Sequence, residues 1–218
     1  IDVHPAMFDY AAFPGALSYG DDLTATQRAV NLLMGEHLSV TRYGAKPDGV
    51  EIEDASMASG SDILESPTAG FGGGVVGMTF VVPGAAGATA DPLVATCIAR
   101  ISGTQVQLSA SATAATSTDI CTYGTNNTAA INAALADPFV RSTGSLFFPS
   151  GVYLVGGDTL NILSNIDIYG AGWSTVIYAA DYTNSSFYAQ SQSKISIRGL
   201  SFKSHAYVRS SLSATPAI

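Results

Sequence analysis

The sequence predicts a mainly β chain: the first coils of a right-handed parallel β-helix, with a capping helix, an inserted small antiparallel β module and an N-terminal helical segment. Three observations predict it. The run Ile166-Asp167-Ile168-Tyr169-Gly170 recurs as Ile195-Ser196-Ile197-Arg198-Gly199, 29 residues further on, inside the range of roughly 20–45 residues for one solenoid repeat. From Gly144 onwards, short β-prone runs alternate with turns. Only 12% of residues are charged, while Gly, Ala, Ser and Thr are abundant, which suits stacked strands and tight turns better than a helix bundle.

Residues 1–22 are rich in aromatic and turn-forming side chains, and a helix is predicted after them over Leu23–Met34, with Asp22 as its N-cap. Ala29, Leu32 and Leu33, with Leu23 and Met34 further off, set an apolar stripe that marks a packing face. This N-terminal segment, residues 1–37, precedes a strand and turn over residues 38–50, where Leu38 leads towards Gly44, Pro47, Asp48 and Gly49. Residues 51–122 have a different texture. Three β-prone runs, 77–82, 93–101 and 105–108, with turns at 84–87 and 102–104, predict the small antiparallel module.

Residues 123–218 open with a short helix that Asn127 or Thr125 caps, that carries Ile131 and Leu135 inward, and that Pro138 stops. Its Ala-rich side permits close approach to a strand stack. Strands are predicted at 145–155, 159–163, 165–173, 175–180, 185–190 and 194–202, with Ile166, Ile168, Ile195 and Ile197 stacked inward in ladders. Each coil then leaves an apolar face for the next to cover.

A net charge of −8 argues against nucleic acid, because affinity for phosphate backbones comes from clustered Lys and Arg. The chain begins at Ile1 without a basic flank and apolar core, so it reads as trimmed or processed. Apolar stretches around Gly70–Ala90 are broken by Gly and Pro and cannot cross a bilayer as one helix, so no membrane insertion is expected. Cys97 and Cys121 are the only cysteines and lack zinc-site spacing. Two small buried apolar side chains are favoured over a bridge, with the bond itself left open.

Three motifs in order resemble the pectate-lyase-like β-helix superfamily. They are Tyr43-Gly44-Ala45-Lys46-Pro47-Asp48-Gly49, then Thr125-Asn126-Asn127-Thr128-Ala129-Ala130-Ile131-Asn132-Ala133-Ala134, then Phe148-Pro149-Ser150-Gly151-Val152-Tyr153. The resemblance spans Leu38 to Phe202 and implies that the helix caps the open end of the solenoid. Two departures stand out. The first two motifs, usually joined directly, are separated by the β module, and Asn126 and Asn127 replace the usual acidic pair. Inserts rich in Ala, Gly and Thr occur at this joint in phage tail proteins, so the resemblance is to the tailspike or tail fibre type. It implies a homotrimer on the virion whose N-terminal segment attaches to other tail or baseplate proteins, and whose coils bind or cleave host surface polysaccharide. On that reading the chain is the N-terminal portion of a longer polypeptide.

Hydrolysis of a glycoside needs two carboxyl groups about 5–10 Å apart across a cleft. The acids of the coil region, Asp158, Asp167 and Asp181, show no partner by spacing: Asp158 and Asp181 read as turn residues, and Asp167 points outward between Ile166 and Ile168. Asp48 reads as a turn-forming carboxylate, and the run Glu51, Glu53, Asp54 as a solvated face without calcium-loop spacing. His4, His37 and His205 are scattered. No catalytic residue, metal ligand or cofactor site is therefore assigned, and any catalytic group is expected downstream. Trp173, Tyr178 and Tyr182, with Tyr188 nearby, are the candidate glycan-stacking residues, against the plainer reading that they cover the solenoid wall or a subunit interface. Gly170-Ala171-Gly172 is a turn and no phosphate loop. The leading expectation is a phage tailspike or tail fibre protein. The alternatives are a secreted, extracellular polysaccharide lyase or glycoside hydrolase, and a carbohydrate-binding module in which the β module binds.

Overall fold

The computed structural model describes residues 38–87, 92–157, 159–180 and 187–204, all within one compact unit, Leu38–Ile218. The helix expected over Leu23–Met34 lies outside the described residues.

The chain enters through β1 (Leu38–Ser39), a 3₁₀ turn (Val40–Tyr43) and the motif around Asp48. The strand expected to run into the turn is therefore only two residues long, and the 3₁₀ turn follows it directly. Ser39 caps the 3₁₀ turn, its hydroxyl accepting from the Thr41 N–H, and Gly44 ends it in the left-handed region at φ 91°.

Six strands then close on themselves: β2 (Val50–Met57), β3 (Ile63–Glu65), β4 (Thr79–Val82), β5 (Leu93–Arg100), β6 (Gln105–Leu108) and β7 (Thr116–Gly124). They form a closed antiparallel barrel in the order β2-β3-β6-β5-β4-β7. Strand β5 shows why: Leu93, Ala95 and Cys97 are buried while Val94, Thr96 and Ile98 face out, a period of two that fills one side only. Closure removes the free edges that an open sheet of this kind would leave. Phe71 and Phe80 meet edge to face at 5.9 Å in the barrel core, and the half-buried Tyr123 packs against it, stacked on Phe80 at 4.8 Å. Cys97 and Cys121 are buried, free thiols in that core; burial pushes both up from the usual thiol range, which leaves them inert.

After the barrel come α1 (Thr128–Ala136) and α2 (Pro138–Thr143), followed by β8 (Ser145–Phe148), β9 (Gly151–Val155), β10 (Leu160–Asn161), β11 (Ile166–Gly170), β12 (Thr175–Ala179), β13 (Phe187–Tyr188), β14 (Ile195–Arg198) and β15 (Ser201–Ser204). Pro138 stops α1 and starts α2, where its missing N–H costs nothing. The strands pair in parallel in three sheets: β1-β8-β11-β14, β15-β12-β9 and β10-β13. Ile131, Ala134 and Leu135 of α1 pack into the same core as Leu146, Phe148 and Ile168.

These findings correct the expected fold class. The largest sheet is a closed antiparallel barrel instead of a small module, and the parallel strands lie in separate sheets of four, three and two short strands. That arrangement is not clearly a right-handed parallel β-helix. The 29-residue recurrence is nonetheless real as a pairing, since β11 and β14 run in register with Ile166 beside Ile195 and Ile168 beside Ile197. Ile166 and Ile168 are buried, Ile195 is half-buried and Ile197 is exposed.

Candidate functional site

The two halves of the opening motif meet in space across the mouth of the barrel. The Asp48 carboxylate accepts from the Thr125 N–H at 2.9 Å and from the Thr125 hydroxyl at 2.7 Å. Asn127 is fully buried, and its side-chain amide accepts from the Lys46 N–H at 2.6 Å while donating to the Lys46 carbonyl at 3.0 Å and the Thr125 carbonyl at 2.9 Å. Asn127 thus occupies the N-cap position of α1 without capping it. Asn126 takes that role, its Oδ1 accepting from the Thr128 N–H at 3.1 Å. The backbones of the ingoing and outgoing strands are so close that a Cβ on Gly124 would stand 2.9 Å from the Gly49 Cα.

The barrel is seated on the parallel sheets by Val81, Leu154, Tyr178 and Ala180. Lys203 of β15 adds an exposed ion pair to Glu51 of β2, at 3.0 and 3.3 Å. Tyr178 is therefore 2% exposed, and burial pushes its hydroxyl well above the usual phenol range, with the Thr122 hydroxyl opposing. It packs the barrel against β9 and β12 and offers no ring face to solvent.

Trp173 has the opposite setting. It stands 92% exposed on the turn 171–174, between β11 and β12. The turn itself is firmly held. Gly172 takes φ +94°, its N–H donates to the Gly199 carbonyl at 3.1 Å, and its carbonyl accepts from the Thr175 N–H at 3.0 Å. The buried Thr175 hydroxyl accepts from the Ala171 N–H at 2.9 Å and lies 3.3 Å from the Phe148 and Pro149 carbonyls. Ser201 donates to the Trp173 carbonyl at 3.3 Å, and Gly151 to the Ser174 carbonyl at 2.8 Å. The structure thus separates Trp173 from Tyr178. Tyr182 lies outside the described residues. Tyr188 is half exposed, with its hydroxyl donating to Gln190. Thr175, directly after the turn at the start of β12, and Ser201, which acts from the next layer, fix the turn, and neither stands out in the sequence from the many other Ser and Thr residues.

Several of the described carboxylates serve the fold. Asp167 holds Arg198 through contacts of 2.8 and 3.3 Å, and that hydrogen bond raises the guanidinium further above its ordinary range. Asp54 accepts from the Ser66 hydroxyl and from the Thr68 N–H at 2.9 Å; the Ser66 bond, against some desolvation, lowers its carboxyl below the ordinary value. Asp62 accepts from Gln107 at 2.8 Å and Asp137 from the Tyr43 hydroxyl at 2.9 Å. The acidic run Glu51, Glu53, Asp54 is thereby split, since Glu51 turns to Lys203 and Asp54 to Ser66. Among the described residues no group of three or more His, Cys, Asp or Glu could hold a metal ion, and no helix is long and apolar enough to cross a membrane. Asp158, Asp181, His4, His37 and His205 lie outside the described residues.

Residues 121–213, from late β7 through the parallel strands, match the family model described as rhamnogalacturonase A/epimerase, pectate lyase-like. No curated protein and no solved structure matches the chain. The pectate-lyase-like match leaves most of the barrel outside it, and it points to a carbohydrate-active or carbohydrate-binding protein.

Proposed function

We propose that this chain is the N-terminal part of a phage tailspike or tail fibre that attaches to the virion tail and handles host surface glycan, by binding or depolymerisation, as a homotrimer. The observation that carries this reading is the closed barrel set between Gly49 and Thr125. It occupies the joint at which the resembled phage tail proteins carry inserts, and the neck beneath it keeps the opening motif whole. The pectate-lyase-like stretch supports a glycan as the ligand. Light scattering on the whole protein tests the assembly. A stable trimer that co-purifies with tail components is expected, and a monomer in solution overturns it.

A second reading, a secreted polysaccharide lyase or glycoside hydrolase, is favoured by the enzyme names attached to the matched family model. Incubation of the whole protein with host capsule or lipopolysaccharide separates the two. A monomer that releases new reducing ends or unsaturated sugars supports the secreted enzyme, and a trimer supports the spike whether or not it cleaves.

A further inference from the structure

Resting on the reading that this chain handles glycan, we propose that Trp173 is a stacking platform for a neutral sugar ring, carried on a turn that is rigid before the ligand arrives. An indole buries a large apolar area when it finds a partner, yet this one is 92% exposed and is the most exposed of the large hydrophobic side chains described. The fold makes little use of the ring while spending five backbone-directed hydrogen bonds on the turn around it, to Thr175, Gly199, Ser201 and Gly151. A held backbone lowers the entropy lost when a ligand is bound.

Other aromatics nearby are occupied or less exposed. Tyr178 is buried under the barrel, and the Tyr169 ring packs on Phe147, with centroids 5.1 Å apart, and on the Arg198 guanidinium, 4.8 Å from its centroid. Phe202, 54% exposed, packs edge to face with Phe187 at 5.3 Å, and Tyr188 is 45% exposed; Trp173, the most exposed of these rings, is the one best placed to meet the apolar C–H face of a pyranose.

The surroundings select the ligand class. The turn, Ala171-Gly172-Trp173-Ser174, and the segments hydrogen-bonded to it, Pro149-Ser150-Gly151 and Gly199-Leu200-Ser201, contain no charged residue. Carboxylated or sulfated glycans are held by Arg or Lys in charge-assisted bonds. Arg198, the cation next in sequence to this site, is already engaged by Asp167. A net charge of −8 further repels a polyanion. A protein partner fits less well, because hot-spot tryptophans sit in well-packed pockets ringed by contacts that exclude water, and this one stands out from a turn whose flanks are mostly Gly, Ser and Pro.

Trp173 is the only tryptophan of the chain, so intrinsic fluorescence reports on this site alone. Neutral oligosaccharides prepared from dextran and from galactan are titrated into the chain, with oligogalacturonate as the anionic probe, and binding is measured in parallel by calorimetry. The expected result is a blue shift and reduced acrylamide quenching with a neutral probe and no change with oligogalacturonate. Trp173→Ala should weaken binding by about tenfold or more at an unchanged melting temperature, and Trp173→Tyr should restore part of it. Calorimetric binding with unmoved Trp emission and an unaffected Trp173→Ala variant overturns this proposal and leaves the glycan reading standing. Preference for oligogalacturonate overturns the neutral assignment, and shielding that rises with protein concentration in the absence of sugar assigns the ring to contacts between copies instead. Absence of binding to all three probes and to host capsule and lipopolysaccharide removes this proposal together with the glycan reading beneath it.

Discussion

Asp48 and Thr125 stand 77 residues apart in sequence and are joined by two hydrogen bonds, of 2.9 and 2.7 Å, from one threonine to one carboxylate. All six strands of the barrel lie between them. The chain can therefore leave the parallel layers, form a closed barrel and return without opening the place it left. The pair also explains how a motif split by so long an insertion keeps both halves: their contact is made through space, so the intervening length changes only the entropy of closure, which grows slowly with loop size.

Asp48→Ala is expected to destabilise the chain by about 2 kcal/mol, the scale of hydrogen bonds to a charged group, measured as a shift of the urea midpoint. Hydrogen exchange should localise the loss, with faster exchange at the ends of β2 and β7 and little change at β5 and β6. An unchanged midpoint would show that Gly49 and Gly124 packing alone holds the neck.

Asn127 supports a second prediction, because its amide is used as both donor and acceptor. Asn127→Asp places a carboxylate against the carbonyls of Lys46 and Thr125, which now accept from Nδ2, at a fully buried position. Burial and those two oxygens disfavour the charged form, so the introduced carboxyl titrates above the ordinary Asp value of about 3.9 in the folded state. A group raised on folding contributes its stability below the unfolded value and loses it as pH rises. The variant should lie nearest wild type at about pH 4 and fall progressively behind towards pH 7, where the loss reaches about 3 kcal/mol. Thermal melts at the two pH values check this, and a deficit independent of pH would refute it.

How much of this was legible beforehand differs between the two parts. In the parallel layers, Ile166 and Ile168 announced their partners because inward positions repeat one apolar residue type, and the pairing with Ile195 and Ile197 is in register. In the barrel, β4, β5 and β6 stood out through runs of Val, Leu and Ile, whereas β2 carries Glu51, Glu53 and Asp54 and β7 is rich in Thr. Strand β2 buries only Ile52, Ala55 and Met57, β7 buries Cys121 and Thr122 on opposite faces with no alternation to read, and the two strands pair with irregular register between Ile52 and Met57. With half of the strands hidden, closure could not be inferred. The same limit acted on the aromatics. Tyr178 and Trp173 are equally aromatic in sequence, and only the seating of the barrel decides that one is covered while the other is exposed.

Tyr153 carries the last prediction. It is fully buried, edge-on to Phe148 at 5.5 Å, and its hydroxyl finds no hydrogen-bond partner. Burial pushes that hydroxyl up to about 12, against about 10 in an unfolded chain. Because the folded value is the higher, the folded state retains the proton longer, and the associated stability is intact below pH 10 and lost as pH rises from 10 towards 12. Tyr153→Phe removes both the unpaired hydroxyl and the titration while keeping the ring. It should raise stability at neutral pH by about 1 kcal/mol, the lower end of the cost of an unsatisfied buried polar group, and flatten the alkaline decline relative to wild type. Tyr178 and Cys121 are also shifted upward by burial and remain in both proteins, so the difference between the two pH profiles isolates Tyr153. Parallel profiles between pH 10 and 12, or a variant less stable than wild type at pH 7, would mean that the hydroxyl has a partner that the protein core depends on.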